Sequence, residues 1–87
     1  MSYTDPRTVT SPQEWWKLND VIYDSKEGGW SVAEGKWDDK PVLAIRWNGE
    51  GKNVVGHPQS RGLPIWFIVP GEVAGVLREV IALLPKP

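Results

Sequence analysis

The fifteen residues Gly35–Gly49, GKWDDKPVLAIRWNG, decide the fold, because they hold a tight turn between two β-prone runs. Aspartates favour turns by hydrogen bonding to their own backbone, so Asp38 to Lys40 is predicted to be a short connection. The second run alternates, with Leu43, Ile45 and Trp47 on one face and Val42, Ala44 and Arg46 on the other. We predict a strand whose Leu43 face belongs to the core.

A strand is predicted before this turn, from Trp30 to about Trp37. Its alternation separates Trp30, Val32, Glu34 and Lys36 from Ser31, Ala33, Gly35 and Trp37. A bulge at Gly35 is the alternative, and it would move Trp37 to the other face. The run 63–69 is also β-prone, and Pro64 within it suits the beginning or the edge of a strand.

The clearest helical pattern lies near the end of the chain, in GEVAGVLREVIALL. Its apolar side chains recur at helical spacing: Val73, Val76, Leu77, Val80, Ile81 and Leu84. This stripe is wider than one sheet face requires. We therefore predict that these six residues form a homodimer interface, where Gly75 permits close approach of a second helix.

At the other end, Ser11 to Glu14 (SPQE) has the residues of a helix start: a hydroxyl cap, a proline and a glutamate that reaches back. A short helix to about Asn19 is predicted, although Val21 to Tyr23 is β-prone and its boundary stays open. Residues 1–10 lack apolar periodicity and are predicted to be a flexible arm. Residues 11–87 form one α+β domain: about four antiparallel strands, this short helix and the C-terminal helix.

Composition limits the possible functions. Without cysteine there are no disulfides, Cys-ligated metals or thiol nucleophiles. The polar start and the absence of a long apolar run favour a cytoplasmic protein without a membrane anchor. The net charge of −1 argues against a strongly basic nucleic-acid binder. However, residues 36–61 carry five basic and three acidic side chains, which permits a locally positive surface.

An enzyme is disfavoured by the small inventory of catalytic groups, and no metal or cofactor is expected. His57 is the only histidine and lies in a glycine-rich loop, residues 48–62. Asp38 and Asp39 are adjacent turn residues whose side chains diverge. The stretch 49–53 is too short for a Walker A loop and lacks the following hydroxyl residue. The long loop 48–62 is predicted to be a hairpin arm or a binding loop.

Six tryptophans are too many for a small domain to enclose completely. Trp47 is predicted to be core, and Trp15 is predicted to anchor the first helix, while it stays open whether Trp16 and Trp66 are core or exposed. Trp30, Trp37 and Trp66 are candidates for partial exposure. Exposed indoles beside lysine and arginine on a sheet are what single-stranded nucleic acid requires, since bases stack on the rings and phosphates contact the cations.

The order of these residues resembles the C-terminal domain of the transcriptional coactivator positive cofactor four and its small bacterial relatives. The resemblance rests on Gly29-Trp30, Lys36-Trp37-Asp38, Lys40 and Ile45-Arg46-Trp47, followed by Gly62, a strand and a terminal helix. It implies a curved four-stranded antiparallel sheet backed by a helix, pairing of two copies through their helices, and single-stranded DNA binding on the sheet.

The predicted function is therefore non-catalytic binding of single-stranded DNA, with RNA left open, in a role related to transcription. The predicted nucleic-acid-binding residues are Trp30, Lys36, Trp37, Lys40, Arg46, Lys52 and Arg61. The alternative is a module that holds a protein partner or a small apolar ligand through exposed indoles and the loop 48–62. An enzyme centred on His57 is the third hypothesis.

Overall fold

The protein is an α+β domain, described here for residues 2–86 in a computed structural model, and this confirms the predicted fold class. Three long strands, β1 (Trp16–Asp24), β2 (Trp30–Trp37) and β3 (Lys40–Trp47), form an antiparallel sheet with the short β6 (Phe67–Ile68). The strand order is β1-β2-β3-β6. A separate hairpin contains β4 (Gln59–Ser60) and β5 (Leu63–Pro64), and the helix α1 spans Gly71–Leu83.

The central hairpin follows the predicted alternation. Asp38 and Asp39 both have positive φ, 52° and 64°, as a two-residue type I′ turn requires. The β2–β3 register is continuous, so Gly35 introduces no bulge there and Trp37 stays on the face of Ala33. The irregularities lie in β1 instead, between Leu18 and Asp20 and between Val21 and Tyr23.

Each face of the sheet is covered by a different part of the chain. On one face, which we call the arm face, Ala33 and Ala44 pack with Val9 of the N-terminal segment and with Trp16 and Trp66. On the other, the helix face, Val32 and Leu43 are buried, and Arg78 of α1 forms an ion pair with Glu34 at 2.7 Å. The core is therefore divided between the two sides of the sheet.

Two predictions about the N-terminal region are wrong. No α-helix begins at Ser11: a single turn, closed by the amides of Trp15 and Trp16 on the Pro12 carbonyl, leads directly into β1. Pairing of β1 with β2 overrides the local capping pattern. The segment before it is not loose either, since Pro6 and Val9 are buried and a 3-10 turn spans Pro6–Thr8.

The apolar side chains of α1 fall into two groups, one that packs towards the sheet and one that faces solvent. Ala74, Leu77, Ile81 and Leu84 are half-buried, whereas Val73, Val76, Val80 and Leu83 are exposed. The helix contains no fully buried residue. Among residues 2–86, no helix has the length and hydrophobicity needed to cross a bilayer.

Candidate nucleic-acid interface

Two grooves contain most of the exposed or half-exposed aromatic side chains. The Trp37 groove lies on the arm face, at the end of the sheet that carries the β2–β3 turn, and has a volume of about 570 Å³. Its lining includes Pro12, Trp37, Arg61, Leu63, Trp66 and Ile68. The Trp47 groove lies on the helix face at the opposite end and has a volume of about 310 Å³. It is lined mainly by Trp30, Ile45, Trp47, His57, Pro58 and Phe67.

The Trp37 groove is built on a row of three indoles. Trp37 pairs with Trp16 across β1 and β2, and the Trp16 ring lies 6.1 Å from that of Trp66. Trp66 is fixed because its indole Nε1 donates to the Val9 carbonyl at 2.8 Å. Two members of this row are buried, and Trp37 at its end stays half-exposed. Trp37 is therefore the half-exposed indole of the groove, and the buried Trp16 and Trp66 are its neighbours.

Two cations border this surface. Lys40 is the cross-strand partner of Trp37, so their Cβ atoms are about 5 Å apart on the same face. Arg61 lies at the tip of the β4–β5 hairpin, where its φ of 53° and the φ of 81° at Gly62 form a two-residue turn. Both cations are exposed, and among residues 2–86 the four ion pairs involve neither of them.

Arg46 has a different role from the one predicted. It is 2% exposed, and its guanidinium donates to the carbonyls of Ile65, at 2.6 Å, Pro58 and Val55. These carbonyls lie on both arms of the loop that follows β3. Burial lowers the pKa of Arg46 to about 10, so the group remains charged at neutral pH. Arg46 therefore holds the loop and is not available to the candidate interface.

The remaining predicted residues are dispersed. Trp30 is half-buried on the helix face, with its ring 5.3 Å from that of Tyr23. Lys36 is exposed on that same face, opposite Lys17. Lys52 is exposed in the turn between Glu50 and Asn53, which are joined by an isolated bridge. The structure thus brings together only Trp37, Lys40 and Arg61 of the seven predicted residues.

The exposure of the tryptophans corrects the sequence prediction. Trp47, predicted to be core, is 59% exposed, whereas Trp16 and Trp66, which the sequence left open, are both buried. Trp15 anchors no helix and is 47% exposed, while its carbonyl accepts from the Asp38 amide at 2.8 Å beside the β2–β3 turn. Phe67 at 54% exposure was not predicted as a surface residue; the edge-strand character indicated by Pro64 was the available signal.

A buried polar cluster occupies the opposite end of the arm face from the Trp37 groove. Asn48 donates to Asp24 at 3.0 Å and to the Lys26 carbonyl at 2.9 Å, and it accepts from the Ser31 hydroxyl at 2.6 Å. Arg7 and Lys26 form ion pairs with Asp24. Burial raises the pKa of Asp24, but the amide and ammonium of Lys26 and the Asn48 amide together place it below the ordinary value of 3.8.

Comparison with known proteins adds no relative: no protein-family model, curated protein or solved structure matches the chain.

Proposed function

We propose that the protein binds single-stranded nucleic acid, without catalysis, in the Trp37 groove. The observation that supports this most is the half-exposed Trp37 ring with Lys40 as its cross-strand neighbour and Arg61 on the facing hairpin. An unstacked base lies on an indole, and the adjoining phosphates contact the cations. DNA is the expected form, and a role in transcription is proposed from the sequence resemblance.

The recess favours a single strand over a duplex, because stacking on Trp37 requires a base that is free of its own neighbours. Trp15 provides a second exposed indole near the same turn. Lys40 and Arg61 supply only two positive charges. Each contact with a phosphate contributes about −0.7 to the slope of log affinity against log salt concentration. The predicted slope is therefore about −1.4, and little base preference is expected.

A titration of fluorescent oligo-dT at two salt concentrations, with the same sequence as a duplex, tests this proposal. Trp37→Ala should weaken single-strand binding about 5- to 150-fold, the equivalent of losing about 1–3 kcal/mol of stacking. Trp47→Ala is the matched control, since that indole is exposed on the opposite face. Equal binding by both variants, or a preference for the duplex, would contradict the proposal.

The protein is also proposed to be a homodimer. The exposed apolar side chains of α1 support this part of the proposal, because exposed apolar stripes of this kind mark association surfaces. Covering that stripe with a second copy would bury Val73, Val76 and Val80, three of the six predicted interface residues. The other three, Leu77, Ile81 and Leu84, are already half-buried within one chain.

A second candidate function is a module that binds a partner protein or small apolar ligand. The Trp47 groove favours it, because the loop 48–62 contributes His57 and Pro58 to a lining that, apart from Arg46, is otherwise aromatic and aliphatic. The charged group of this lining, Arg46, is occupied by backbone carbonyls. The groove therefore suits an apolar occupant rather than a phosphate chain.

A further inference from the structure

We infer that the Trp47 groove holds the C-terminal turn of α1 and the segment after it, Leu83 to Lys86, from a second copy of this chain. The inference rests on the homodimer that is part of the proposed function. Its first support is the chemistry of the groove, where Trp47 and Phe67 are 59% and 54% exposed on a mainly apolar lining. Such a surface is stabilised by covering it with apolar side chains.

The exposed stripe of α1 follows the groove closely along the chain and lies on the same side of the sheet. Phe67 forms one wall of the groove, and α1 begins four residues later at Gly71. The stripe then continues through Val73, Val76 and Val80 to Leu83, which is 86% exposed. Both features belong to the helix side of the sheet, so one partner can cover them together.

Symmetry determines which part of the partner reaches the groove. Two copies related by a twofold axis contact each other through the same surface, and two equivalent helices that cross near this axis can pack antiparallel. The thirteen residues of α1 span about 20 Å. The partner's Leu83 then lies beside the first turn of α1 and Phe67, whereas a chain's own Leu83 is a helix length away from its own groove.

The segment after α1 is suited to an aromatic groove. Leu84 has φ −82° and ψ 145°, which are polyproline II values, and Pro85 and Lys86 after it are exposed. Proline-containing segments in this conformation pack on grooves lined by aromatic rings. The charge also matches, since Glu50 lines a neighbouring recess that shares Trp47 and His57 with the groove and, among residues 2–86, is in no ion pair that would compete for Lys86.

A double-mutant cycle on the dimer dissociation constant tests the inference. Trp47→Ala, Leu83→Ala and the double variant are compared with the unchanged chain by sedimentation equilibrium. Each single change should raise the dissociation constant of the dimer. In the double variant the rise should be at least about fivefold smaller than the product of the two single rises, because the effects of contacting residues are not additive. Trp15→Ala, another exposed indole, should leave the constant unchanged.

Each other outcome separates this inference from the proposed function. If the two effects multiply, or if Trp47→Ala leaves the dimer unchanged, the groove serves a different protein or ligand and the inference is overturned. A chain that stays monomeric overturns both the inference and the proposed dimer. Oligo-dT binding by the same samples is measured independently, so nucleic-acid binding is tested separately from dimerisation.

Discussion

Trp37 and Lys40 are the last cross-strand pair of the β2–β3 hairpin, joined by the two-residue turn of Asp38 and Asp39. An indole and an ammonium group therefore project from the same face at the end of the Trp37 groove. Their adjacency follows from the turn type, since a one-residue change in its length would place them on opposite faces.

Removing one groove cation should change the salt dependence of oligo-dT binding. Lys40→Gln and Arg61→Gln are each expected to reduce the log-log slope by about 0.7, from about −1.4 to about −0.7, because each removes one phosphate contact. Lys52→Gln is the matched control, since Lys52 is exposed in a turn that neither lines the groove nor pairs with Trp37. A slope that responds to Lys52 and not to Lys40 would place the strand elsewhere.

Replacing Arg46 should destabilise the fold rather than only weaken binding. Arg46→Met leaves the carbonyls of Val55 and Ile65 without this donor, whereas the Pro58 carbonyl still accepts from the Ile65 amide, and each partly buried carbonyl left unpaired costs about 1–3 kcal/mol. We expect the free energy of unfolding in urea to fall by about 2–5 kcal/mol. Arg46→Lys should recover only part of this loss, because one ammonium cannot reach every carbonyl. A loss below about 1 kcal/mol would show that the loop does not depend on Arg46.

The sequence was sufficient for β2, β3, the turn between them and α1, because these follow from alternation, turn chemistry and apolar spacing. It did not indicate the start of β1, where a helix was predicted and strand pairing decides. The sequence was insufficient for deciding which face of the sheet is covered and which chain segment covers it. Arg46 and Trp47 are neighbours on opposite faces, and hydrophobicity alone assigned Trp47 to the core. The structure reverses this, because a guanidinium that meets several backbone carbonyls is stable inside, whereas the Trp47 ring stays 59% exposed to solvent among the described residues 2–86.

The candidate site was predictable only where its residues are close in sequence. Trp37 and Lys40 belong to one hairpin, so their pairing follows from local structure. Arg61 reaches the groove through a distant loop, whose path is set by contacts with Arg46. Val9 covers the sheet through long-range packing, and no local pattern indicates this.

Acidification should destabilise the protein through Asp24. Its pKa is below 3.8 in the folded state, so the unfolded chain takes up the proton first as the pH falls. The stability contributed by Asp24 is thus present above pH 3.8 and is lost as the pH falls through the folded pKa. Asp24→Asn should unfold at lower urea than the unchanged chain at neutral pH, and the two should converge in acid. An equal difference at every pH would contradict this role.

Gly35 should tolerate no side chain, because β1 and β2 approach closely there. A Cβ at this position would overlap the ring edge of Trp16 and the backbone oxygen of Lys17. Neither atom is at the free end of a flexible side chain, so Gly35→Ala should lower the free energy of unfolding by about 1–3 kcal/mol. A displaced Trp16 also disturbs its partner Trp37, and oligo-dT binding should weaken in parallel.

Gly75→Ala is the control for the same change in an open position, where a Cβ meets no atom within 4 Å in the single chain. Helix propensity should then raise the stability of the monomer by about 1 kcal/mol. Urea unfolding of both variants at a low protein concentration makes the comparison. If Gly35→Ala were as stable as Gly75→Ala, the contact between Trp16 and β2 would have to be looser than the structure shows.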